Sequence, residues 1–167
     1  MQIRIRQSGA VVFDNEFRTY AQTQGAVFGT PLTEEFINQY GGDIVFEGPQ
    51  ASGGTVYQYS QLDGVQELAG KWYTKYILGP VFTDTAATDL QPAKTAAENE
   101  AAYKAMKDTE QAKSVRTTRT QKLADSDWTQ IADSTADKAA WATYRTALRN
   151  VPAQAGFPWT VTWPDAP

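Results

Sequence analysis

Carboxylates are the only acid–base groups this chain could use near neutrality, because it has neither histidine nor cysteine. That removes Ser-His-Asp triads, cysteine nucleophiles and zinc sites built on Cys or His. What survives is carboxylate chemistry, such as a glycan hydrolase with two acidic residues flanking the scissile bond. Asp43 and Glu47 together with Asp63 and Glu67 are the residues to consider, but carboxylates on a small sheet are ordinarily solvated charges. Asp125, Asp127, Asp133 and Asp137 lack the spacing of an EF-hand loop and its closing glutamate, so they read as caps and loop residues. The glycine-containing loop Gly48 to Gly54 has no phosphate-binding lysine and opens no helix. No catalytic, metal or cofactor residue is assigned.

The residues that can bind are aromatic and basic. Four of the five tryptophans, Trp128, Trp141, Trp159 and Trp163, fall in the last forty residues, with Phe157 among them. Each indole is a large apolar body that must be covered by this chain or by a partner. Trp141, Tyr144, Arg145 and Leu148 recur at i, i+3, i+4 and i+7, one face of a helix. Arg145 could stack on a tryptophan face. These eight residues (Trp128, Trp141, Tyr144, Arg145, Leu148, Phe157, Trp159 and Trp163) are the candidate partner-binding set. They could equally build a small core, and a core this small would be finished against a partner. Lys113, Arg116, Arg119 and Lys122 form a basic stripe that either docks an acidic neighbour or is solvated.

The elements that position these residues follow from periodicity. Gln2 to Arg6 alternates as a half-buried strand, and Ala10 to Phe13 pairs with it as a hairpin. Asp14 or Asn15 caps a short helix bearing Phe17 and Tyr20. Thr33 caps a second, which buries Phe36, Ile37 and Tyr40 and ends at Gly41-Gly42. Strands are expected over 44–46, 56–59, 65–68 and 72–78, with Asp63-Gly64 and Gly70-Lys71 as turns of an antiparallel meander. Residues 83–93 are small and polar, a linker. Lys94 to Ala124 has helical composition and would span roughly 45 Å. A shorter helix runs from Thr135 to Arg149, started by Asp133 or Ser134. Beyond it an extended, proline-rich tail lays Phe157, Trp159 and Trp163 against that second helix.

The fold class is therefore α+β. A small antiparallel β module with short helices (1–82) is followed by a linker (83–93) and a helical C-terminal domain (94–167). The formal net charge is -4. Residues 1 to 93 hold five basic and ten acidic side chains, and the rest hold ten and nine. Neither nucleic acid, which wants a basic surplus, nor a membrane is an expected partner. The amino terminus has no apolar core of signal length, so a soluble protein without an export signal is expected.

Leu123, Asp127-Trp128-Thr129-Gln130, Asp133, Trp141, Tyr144-Arg145, Leu148-Arg149, Pro152, Phe157-Pro158-Trp159 and Trp163-Pro164 resemble the motif of the phage tail assembly chaperone, or tail fibre assembly, domain. The resemblance covers residues 115–167. The middle segment, from Glu47-Gly48-Pro49 to Tyr76, is similar to N-terminal modules of marine phage virion proteins. This implies a tailed-phage protein without enzymatic activity. It would be a structural connector at the tail or baseplate that helps attach fibres, or alternatively an assembly chaperone absent from the finished particle. Partners would be other tail, baseplate or fibre proteins, with homo-oligomers in the assembly. It would reside in the virion tail, and in the host cytoplasm during assembly.

Overall fold

The computed structural model describes residues 1–27, 29 and 31–167. The chain forms two compact units, Met1–Val81 and Phe82–Pro167.

The first unit is a five-stranded sheet with two short helices. Its strands are β1 (Gln2–Ile5), β2 (Val11–Phe13), β3 (Gly42–Phe46), β4 (Tyr59–Leu68) and β5 (Lys71–Gly79), in the order β2-β1-β3-β5-β4. All neighbours are antiparallel except β3 and β5, which run parallel through Val45–Trp72 and Phe46–Tyr73. Helices α1 (Asp14–Thr23) and α2 (Glu34–Gln39) supply Phe17, Ala21, Phe36 and Ile37, which close over Ile3 and Ile5 as the core. Gly42 allows that approach. A Cβ there would lie 2.6 Å from the Phe17 ring and 2.7 Å from Ile37, closer than van der Waals contact permits. Thr33 caps α2 as expected, its hydroxyl accepting from the Phe36 N–H at 3.2 Å. At α1 the cap works differently: Glu16 reaches back to accept from the Phe13 N–H at 2.9 Å.

Two expectations for this sheet are corrected. Asp63-Gly64 is no hairpin turn. Leu62 pairs with Tyr76 and Val65 with Thr74, so two residues face one, and β4 continues as a single bulged strand. Gly64 takes the bulge with φ 82°, and the opposing Lys75 donates to Asp63 at 2.6 Å. The turn that does reverse the chain is Ala69-Gly70, both with positive φ, which matches the twist of a two-residue hairpin. Residues 56–58 precede β4 rather than forming a strand of their own.

The second unit is built on α3 (Ala96–Asp125) and α4 (Lys138–Asn150), joined by a 3-10 turn at Asp127–Gln130. Thr95 and Glu98 cap α3 reciprocally. The Glu98 N–H donates to the Thr95 hydroxyl at 3.3 Å, and the Thr95 N–H donates to Glu98 at 2.8 Å. Residues 83–93, expected as a free linker, are hydrogen-bonded to this helix start. Asp84 accepts from the Ala96 N–H at 2.7 Å, Asn99 donates to the Thr83 carbonyl at 2.9 Å, and Thr85 bridges Lys94. Phe82 packs on Tyr103 with ring centroids 5.4 Å apart. The cap of α4 is Asp137, not Asp133 or Ser134. Its carboxylate accepts from the Ala139 and Ala140 N–H groups, so the helix begins three residues later than expected.

Candidate functional site

Where α3 ends, its last carbonyls need partners. Arg145 of α4 supplies them from inside the unit, being only 9% exposed. One guanidinium nitrogen donates to the Leu123 carbonyl and to the Ser126 hydroxyl, both at 2.7 Å, and another donates to Asp127 at 2.6 Å. Ser126 and Thr129 are themselves buried and bonded back to α3, Ser126 donating to the Leu123 carbonyl and Thr129 to the Ser126 carbonyl. Arg145 thus commits its guanidinium to the end of α3, where a stack on a tryptophan face was expected. Its planar fork locks the 3-10 turn in place. Of the four aspartates read as caps or loop residues, Asp137 caps, Asp127 pairs with Arg145, and Asp125 accepts from Gln121 at 2.7 Å.

That turn presents Trp128. Its ring stands 6.0 Å from Trp141 at 58°, and Trp141 meets Tyr144 edge-on at 5.5 Å. Tyr144, Arg145 and Leu148, expected among partner-binding residues, are buried with Val151 in the unit's interior. Trp141 is half-buried, while Trp128 and Ile131 are each 54% exposed. Ile131 escaped the sequence reading, although a lone aliphatic residue between polar loop residues was its available signal. Lys138, at the start of α4, donates to the Ala132 carbonyl at 3.0 Å and ties the preceding loop to the helix.

The tail, expected against the second helix, engages α3 through Phe157, Trp159 and Trp163. Trp159 donates its indole N–H to Asp108 at 2.6 Å, Arg116 sits 5.2 Å from the Phe157 ring centre, and Lys122 sits 5.7 Å from that of Trp163. Two members of the basic stripe are thus engaged by this chain's own rings. Gln154 pins the tail through two hydrogen bonds of 2.8 Å with Thr162. Asp108 could not be singled out from sequence, since its partner lies fifty-one residues away.

In the first unit, three of the four carboxylates considered for catalysis have fixed partners. Asp43 pairs with Arg4 and Arg6, Glu47 accepts the Tyr76 hydroxyl at 2.5 Å, and Asp63 pairs with Lys75. Glu67 faces Trp72 across the β4–β5 ladder. Among the described residues no group of three or more Asp or Glu is placed to hold a metal ion. No helix among them is long and apolar enough to cross a membrane.

Residues 112–167 match the family described as Phage tail assembly chaperone protein. The matched segment starts inside α3 and takes in the 3-10 turn, α4 and the whole tail, so every residue of the candidate surface lies within it. The C-terminal third of the chain is therefore similar to a phage tail assembly domain. No curated protein and no solved structure matches the chain.

Proposed function

We propose that this chain is a non-enzymatic binding protein of tailed-phage tail assembly, and that Trp128, Ile131 and Trp141 are the surface a tail, baseplate or fibre protein covers. The similarity of residues 112–167 to the tail assembly chaperone family carries this reading. The exposed patch supports it. An indole and an aliphatic side chain, each more than half exposed and held by a rigid buried scaffold, gain by leaving water. Tryptophan is among the residue types that dominate binding energy at interfaces. The half-exposed tail aromatics Phe157, Trp159 and Trp163 act as the strap that holds the tail on α3.

Two fates fit this reading. A connector stays in the virion, and an assembly chaperone leaves with its client's completion. The tail assembly chaperone family that residues 112–167 resemble favours the chaperone. The hydrogen-bonded 83–93 segment also removes one support for a connector, a free linker between two fixed partners. Quantitative mass spectrometry of salt-washed particles tests this. Presence in infected-cell lysate with absence from particles is the expected result. Stoichiometric retention relative to a known tail protein would make the chain a structural connector.

A further inference from the structure

Strand β4 is the outermost strand of the first unit's sheet and pairs only with β5. Leu68 and Lys71 close the two-residue turn and exchange hydrogen bonds, and alternation along the regular strand β5 fixes the rest. Gln66, Gln61 and Tyr59 turn their backbone groups toward β5. Val65 and Glu67 after the bulge, and Ser60 and Leu62 before it, turn theirs outward. Among the described residues no loop or turn backbone bonds to that outer edge. The edge runs for 10 residues without proline or lysine, and Tyr59, Leu62 and Leu68 on it are exposed. Such an edge is a template for a further strand. The bulge favours one strand above others. A regular strand laid here would have to repeat the two-against-one mismatch that β5 absorbs at Asp63-Gly64. An identical strand, reversed about a two-fold axis at the bulge, carries the same extra residue at the same place and meets it residue for residue.

We propose that β4 pairs antiparallel with β4 of a second copy about a two-fold axis at Asp63-Gly64, joining the two sheets into one. In that register the outward-facing Ser60 lies opposite the partner's Glu67, and Leu62 opposite the partner's Val65, so every outward backbone group gains a partner. Between them Gln61 faces the partner's Gln66, and Tyr59 faces the partner's Leu68. Apolar meets apolar, amide meets amide, and no carboxylate stands directly opposite another. Asp63 faces the partner's Gly64, a position with nothing within 4 Å of where a Cβ would sit, and its charge is already paired with Lys75 at 2.6 Å. The contact uses the same patch on both copies, so it stops at a dimer. It lies in the first unit, outside residues 112–167, and does not rest on the Trp128 surface.

Sedimentation equilibrium of the full chain, with disulfide trapping, tests this. The chain has no cysteine, so trapping has no background. Wild-type protein should reach a dimer and nothing larger as concentration rises. Glu67→Pro removes an outward N–H and spares the β5 ladder, so it should stay folded by circular dichroism and lose at least tenfold in association. Gln61→Cys mixed with Gln66→Cys should give a disulfide-linked dimer under mild oxidation. Neither variant alone should, because only unlike positions face each other. A monomeric wild type, undiminished association in folded Glu67→Pro, or linked dimers as abundant in the single variants as in the mixture would overturn the proposal. If Glu67→Pro unfolds, the cysteine mixture decides. Trp128→Ala should leave the dimer intact, and a dimer lost in that variant would move the contact to the second unit and overturn the strand pairing.

Discussion

Arg145 shows how a side chain can be essential to a surface it never reaches. It is buried, and its three hydrogen bonds satisfy the end of α3 and fix the turn that carries Trp128. Arg145→Ala would remove the charged donor from the Leu123 carbonyl, which keeps Ser126, and the donor to the Ser126 hydroxyl, and would leave a cavity in the unit's interior. A loss of about 2 kcal/mol is expected for the second unit, since charge-assisted bonds to buried groups are lost. Urea unfolding followed by tryptophan fluorescence reads it. Asp127→Asn should cost well under about 1 kcal/mol, because Asp127 is 67% exposed and its ion pair is screened. Equal losses in the two variants would mean that the ion pair, and not the helix-end carbonyl, carries the contact. The sequence made Arg145 visible through its helical spacing with Trp141 and Leu148. Its true partners were hidden, because they lie about twenty residues away on another element.

At the level of elements, local chemistry was legible and long-range pairing was not. Thr33 was readable as a cap because the cap and the groups it satisfies lie within three residues. Asp63-Gly64 reads as a turn by the same local logic, yet forms a bulge because Lys75 and the rest of β5 lie opposite it. The parallel β3–β5 pair and the return of the tail to α3 are also set by distant partners. The start of α3 offers a test with a definite sign. The backbone N–H and hydroxyl of Thr95 both donate to Glu98, and these bonds hold its carboxyl below the ordinary glutamate value. A depressed folded-state value means the stabilisation is whole above the unfolded-state value. It is lost as pH falls below the ordinary glutamate value and through the lower folded-state one. Thr95→Ala should cost ~1 kcal/mol of helix stability at neutral pH. The cost should shrink in acid, where the wild-type cap is already weakened. Ellipticity at 222 nm across a pH series for both proteins checks this, and a pH-independent difference would remove Glu98 from the cap.

For the whole molecule, the division at Val81 and Phe82 is the feature with most consequence. The sequence reads 83–93 as a linker after Pro80, and in it Thr83, Asp84 and Thr85 bond to the start of α3 through partners that local composition does not reveal. The second unit has its own buried residues, including Ala112, Val115, Leu148 and Val151, and contains Trp128, Ile131 and Trp141. Residues 82–167 expressed alone should therefore fold, with dispersed amide resonances and a near-ultraviolet signal from the clustered indoles. Expression from residue 96 onward, which deletes the Asp84 and Thr95 contacts to the helix start, should lower its thermal midpoint. An unfolded 82–167 fragment would mean that the first unit is needed to hold it.

On the proposed function, an exposed aromatic patch on the second unit serves tail assembly. The most direct test is an infection in which the chain carries Trp128→Ala/Ile131→Ala, with complete tails counted by electron microscopy. Both side chains are more than half exposed, so the variant should fold and accumulate at wild-type levels. A fall of at least tenfold in particles with complete tails is the expected result. A normal count, with the variant folded and abundant, would contradict the assignment of this surface.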